Sequence, residues 1–113
     1  KLELDVQEPY FNFIKIGKKV VEGRLGKDKY LNLAKGDLIK INNLEVEVQT
    51  VSKYKSFKEM LIMEGVKNVI PDATDLDSAE SVYYKFYTEE DEKEFGVAGI
   101  ALKVVREIIL WPI

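Results

Sequence analysis

"KGDLIKINNLEVEV", residues 35–48, sets a two-residue turn between two runs of alternating apolar and polar side chains. Leu38 to Ile41 lead into Asn42-Asn43, whose side chains tolerate left-handed backbone, and Val46 and Val48 then alternate with Glu45 and Glu47. A period of two gives each run one face for a core and one for water, so the segment predicts a β-hairpin. A sheet is therefore the framework of the chain.

Toward the carboxyl end the period lengthens. Ser56-Phe57-Lys58-Glu59 has the form of a capping box, in which the Ser hydroxyl and the Glu carboxylate satisfy two orphan amide donors, and Met60, Leu61 and Met63 follow before Gly65. "GVKNVIP" (65–71) predicts a second short helix stopped by Pro71, and "DLDSAESVYYKFY" (75–87) offers Asp or Ser caps before a stripe of Val82, Tyr83, Phe86 and Tyr87. Thr88 repeats the capping device ahead of an acidic first turn. "VAGIALKVVREI" (97–108) returns to strand, and its continuous apolar character predicts a central, two-sided position. "IILWPI" (108–113) reads as a barrel strand or a packed tail, with a dimer patch anchored by Trp111 as the alternative.

Toward the amino end, Leu2, Leu4 and Val6 alternate with Lys1, Glu3 and Asp5 as in a strand. A short helix over "PYFNFIKIG" (9–17) follows, with Pro9 in its first turn and Gly17 at its C-cap. In the next strand Val21 and Leu25 share one face with Gly23 between them, while Val20, Glu22 and Arg24 share the other. The order strand, helix, several strands, helical insertion, long strand predicts class α+β: a small curled mixed sheet with flanking short helices.

The chain has 113 residues and 46% hydrophobic content, the size of one domain over residues 1–113. With no cysteine and no histidine, thiolate nucleophiles, cysteine-ligated metals and the commonest near-neutral general base are all absent. "DATDLD" (72–77) lacks the glycine and terminal glutamate of a calcium loop, so it reads as helix capping, and neither metal nor cofactor is expected. No apolar run approaches the roughly 20 residues that span a bilayer, and a soluble, cytoplasmic protein is the expectation. Charge makes up 33% of the residues, mostly Lys and Glu, a bias of the kind found in heat-adapted organisms. The net charge of −3 hides an asymmetry: residues 1–58 carry 12 Lys/Arg against 8 Asp/Glu, and residues 59–113 carry 5 against 12. A local basic face can bind phosphate on an acidic protein, because distant charge is screened within about 10 Å.

The segments "GKKVVEGR" (17–24), "KGDLIKI" (35–41), "VSKYKSFKEML" (51–61), Pro71 and "YYKFYTEEDEKEFGVAGI" (83–100), in that order, resemble the ASCH domain, which is a small PUA-like β-barrel. The resemblance implies a cleft between barrel and helices, lined by a GxKxxExR segment and proposed in the family to bind RNA. The positions that carry this over are Gly17, Lys19, Glu22 and Arg24. Bacterial acetylcytidine amidohydrolases are similar through the same segment, but they have threonine as proposed nucleophile where this chain has Glu22. A carboxylate cannot supply the activated hydroxyl of that chemistry.

The expected function is thus an RNA- or nucleotide-binding module. Lys19 and Arg24 would meet phosphate or base edges, and Glu22 would accept from a base or orient Arg24. Tyr54 and Lys55, where the long hairpin strand meets a helix, are expected to stack and hold a splayed base, with Tyr84 a further cleft residue and Phe57 in the core. One alternative is a small hydrolase acting on a modified nucleoside or RNA, amidohydrolase- or ribonuclease-like, with Lys19 and Glu22 as its catalytic candidates. Another is a protein-interaction domain using the acidic half or the Trp111 tail.

Overall fold

In the computed structural model, which describes residues 2–109, eleven elements follow one another. They are β1 (Glu3–Leu4), α1 (Tyr10–Lys15), β2 (Val21–Leu25), α2 (Asp28–Leu31), β3 (Leu38–Ile41), β4 (Leu44–Tyr54), α3 (Phe57–Glu64), α4 (Val66–Val69), α5 (Leu76–Tyr83), α6 (Glu89–Phe95) and β5 (Val97–Glu107). The chain is an α+β protein with a five-stranded mixed sheet. The Trp111 tail lies outside the described residues.

The hairpin forms where alternation placed it: Ile41 stands opposite Leu44, and Asn42 takes the left-handed backbone of the turn at φ +51°. Asn42 also clamps the chain beyond β1. Its amide oxygen accepts from the Val6 amide at 3.0 Å and its amide nitrogen donates to the Val6 carbonyl at 2.9 Å. A side chain thus continues the β1–β3 pairing past Leu4 and holds Asp5 to Gln7 in place.

The strands lie in the order β1-β3-β4-β5-β2, with β1 parallel to β3 and every other pairing antiparallel. β5 runs between β4 and β2, as its apolar run predicts, and Val97, Ala98 and Ile100 are fully buried. Beyond Leu102 the strand becomes exposed at Lys103 and from Val105 to Glu107, while Val104 still packs against the core. Among the described residues β1 and β2 are the outer strands and do not pair with each other, so there the sheet stays open where the expected barrel would close.

One core fills the hollow beneath the sheet around Ile14, Ile39, Ile41, Val46 and Ile100. A second packs α3 to α5 on the sheet through Val21, Leu25, Phe57, Met60 and Leu61. At the paired glycines Gly23 and Gly99 the sheet is notched for Met60: a Cβ on Gly23 would stand 2.9 Å from the Met60 sulfur, and one on Gly99 would stand 3.3 Å from Met60 Cγ. Side chains there would hold the helices off the sheet.

The helix caps expected from sequence are present, with one difference. Ser56 Oγ accepts from the Glu59 amide at 3.0 Å, Thr88 Oγ1 from the Asp91 amide at 3.1 Å, and Asp75 forms a full capping box with Ser78. At α3 the carboxylate that takes a helix-start amide is Glu92 of α6, which accepts from the buried Phe57 amide at 2.7 Å.

Candidate functional site

The open edge of the sheet creates the site. A cavity of about 320 Å³ lies between β2 and the segment after β1, roofed by the end of α5 and the turn that follows it. Gly17, in left-handed conformation at φ +80°, ends α1 and turns the chain toward β2, so that Lys19 enters the space beside that strand.

Lys19 is 3% exposed, and its ammonium has no proton to spare. It donates to the Val21 carbonyl at 2.8 Å and the Val69 carbonyl at 2.7 Å, and lies 3.3 Å from Glu22 Oε1. Three partners match the three donors of an ammonium. Burial lowers the Lys19 pKa, an effect that Glu22 opposes. Glu22, 7% exposed, receives Arg24 on its other oxygen, with Nε at 3.1 Å and Nη2 at 2.9 Å. Burial pulls the Arg24 pKa down, but Glu22 and the neighbouring tyrosines more than offset this and raise it.

Arg24 Nη2 also donates to the Asp5 carbonyl at 3.0 Å. One guanidinium therefore bridges β2 and the segment after β1, the two outer edges that the sheet leaves unjoined. Lys19, Glu22 and Arg24 form one charged cluster at the floor of the cavity, and a solvated surface ion pair does not describe it.

The walls are aromatic and aliphatic: Tyr10, Val82, Tyr83, Phe86 and Tyr87 line the cavity with Val6 and Ile70. Phe57 fixes them from behind. Its ring stacks on Tyr83 at 4.4 Å and 7°, and on Tyr87 at 5.3 Å and 21°. Desolvation raises the pKa of Tyr10, Tyr83 and Tyr87, keeping all three hydroxyls neutral at physiological pH. Phe86, half exposed, stands at the mouth.

The other expected site residues lie elsewhere. Tyr54 donates its hydroxyl to Glu64 and packs over Gly99, Lys55 is exposed at the bend before α3, and neither lines the cavity. The Tyr84 hydroxyl donates to Glu92 Oε1 at 2.7 Å and so supports the cap of α3. Tyr10, Tyr83 and Tyr87 escaped the sequence reading. The signal is the aromatic density of "YYKFY", whose spacing reads as one helical stripe; α5 ends at Tyr83, and the following turn carries Phe86 and Tyr87 over the cavity.

Among the described residues no three His, Cys, Asp or Glu side chains gather as a metal site requires, and no helix is long and apolar enough to cross a membrane.

Comparison with known proteins places this geometry in a family. The profile of the ASCH domain matches residues 4–106. The crystal structure of the hypothetical protein PH0355 is 40% identical with a TM-score of 0.88, covering 92% of this chain and 98% of its own. The solution structure of protein PF0455 from Pyrococcus furiosus is 38% identical with a TM-score of 0.77, covering 92% of this chain and 96% of its own. No curated protein matches the chain.

Proposed function

We propose, for a chain that belongs to the ASCH domain family, that it is an RNA- or nucleotide-binding module whose cavity takes one nucleotide of a single strand. The observation that carries this reading is the pairing of aromatic walls with a charged floor in one recess at the sheet's open edge. Aromatic faces stack bases of any sequence, and a flanking guanidinium suits base edges or phosphate. The volume of about 320 Å³ sits at the small end of ligand sites, roughly 300–1,000 Å³.

Single-stranded RNA binding, followed by fluorescence anisotropy across a salt series, tests the assignment. Affinity is expected to fall with salt, with a log–log slope of about 0.7 per phosphate contact. Phe86→Ala, at a half-exposed position at the cavity mouth, should weaken binding by about 1–3 kcal/mol, the worth of one stacked base. Wild type that binds no RNA, or a Phe86→Ala variant of unchanged affinity, would overturn it.

A second reading draws on the buried Lys19 with its lowered pKa beside Glu22: a small hydrolase acting on a modified nucleoside or RNA. Turnover by wild type that is lost in Glu22→Gln would establish it.

A further inference from the structure

The free edge of β2 carries a hydrogen-bonding pair that the charged cluster does not use. The Leu102 amide donates to the Val20 carbonyl at 2.8 Å and the Gly26 amide donates to the Gly96 carbonyl at 2.9 Å. With the register Gly23↔Gly99, these bonds fix the parity of the strand: residues 20, 22, 24 and 26 face β5, while 21, 23 and 25 turn their amides and carbonyls to the open side. The Val21 carbonyl on that side is taken by Lys19. Among the described residues no hydrogen bond reaches the outward amide and carbonyl of Gly23, although Gly23 is buried and lines the cavity. Buried backbone groups without partners are rare in folded proteins.

A third unpaired group stands beside them. The Tyr83 hydroxyl, on a residue only 5% exposed, has no hydrogen-bond partner among the described residues, and it lies 2.8 Å from where a Cβ on Gly23 would be. At the floor Lys19 spends its three donors on two carbonyls and Glu22, while Arg24 turns its Nε and Nη2 donors to Glu22 and the Asp5 carbonyl, so that Glu22 compensates the charge of both. The cavity is thus built to pair with a neutral polar edge between apolar faces.

Resting on the nucleotide-binding reading, we propose that the part of the nucleotide held in the cavity is the uncharged base, and that the Gly23 amide and carbonyl pair with an adjacent acceptor and donor on its ring edge, as a neighbouring strand would. The sugar and phosphate stay at the mouth. Because only main-chain groups of a glycine are used, the ring can lie against the strand with no side chain between them.

The test uses the intact wild-type chain and changes the ligand, so misfolding does not enter. Amide ¹H–¹⁵N spectra are followed as each of the four ribonucleosides, ribose 5-phosphate, inorganic phosphate and a short single-stranded RNA are added. The expected result is that at least one nucleoside binds and moves the Gly23 amide downfield, and that methylating the ring nitrogen of its donor–acceptor edge weakens binding about tenfold, the effect of about 1.4 kcal/mol. Ribose 5-phosphate and phosphate should leave Gly23 unmoved. RNA binding with Gly23 unmoved, or a ring-methylated nucleoside that binds as tightly as its parent, would overturn the inference and leave the nucleotide-binding reading standing. No binding of any of these ligands would remove both.

Discussion

Lys19→Met is expected to lower the stability of the folded chain by about 3–5 kcal/mol, the usual cost of breaking a buried ion pair by removing one partner. The substitution keeps an unbranched apolar stem as far as the Cε position but removes the ammonium. The Val21 and Val69 carbonyls then lose their donor, and Glu22 keeps only Arg24. At roughly 4 °C per kcal/mol for a chain of this size, thermal unfolding should shift by more than about 10 °C. Urea unfolding of wild type and variant measures it. A change within about 0.5 kcal/mol, the behaviour of an ordinary surface lysine, would show that Lys19 does not fasten α4 to the edge of β2.

Glu92→Ala should cost about 2–4 kcal/mol, because it removes the partner of two donors at once, one buried and one part-buried, and an unsatisfied buried donor costs about 1–3 kcal/mol. One is the Phe57 amide at the start of α3, and the other is the Tyr84 hydroxyl. Glu92→Gln, which retains an oxygen for the Phe57 amide, should recover about half of that loss. Equilibrium unfolding of the two variants, with Tyr84→Phe as the single-bond control, separates the contributions. If Glu92→Ala melted with wild type, the link between α6 and α3 would carry no weight. The consequence reaches the cavity, since Phe57 backs the Tyr83 and Tyr87 rings.

These predictions show which parts of the molecule the sequence exposed. Alternation placed β3 and β4, a continuous apolar run placed β5, and Ser56, Asp75 and Thr88 marked their helix starts, because these signals are local. The parity of β2 put Glu22 and Arg24 on one side of the strand, where they pair. What local pattern could not supply was the partner from across the fold. The amide of Asn42 reads as turn chemistry, but its bonds go to Val6, 36 residues away. Glu92 reads as one more charge on the solvated run "EEDEKE", yet it caps a helix that begins 35 residues earlier.

The same limit governs the candidate site. A lysine in a basic stretch suggests a free charge, whereas burial and two carbonyls turn it into a strut. Tyr84, off the apolar stripe, looked available and is tied to Glu92, while Tyr83, on the stripe, lines the cavity. Spacing identifies the face of a helix. It does not show where that face meets a gap in the sheet.

The central claim is that the recess between the two unjoined sheet edges receives the ligand, with the Lys19–Glu22–Arg24 cluster as its floor. Mapping amide shifts across the whole chain during titration with a short single-stranded RNA tests it most directly. The account predicts that the largest changes fall together on Val6, Gly23, Arg24, Tyr83 and Tyr87. Changes confined to the lysines around Lys15 and Lys103, with those five residues unmoved, would contradict it.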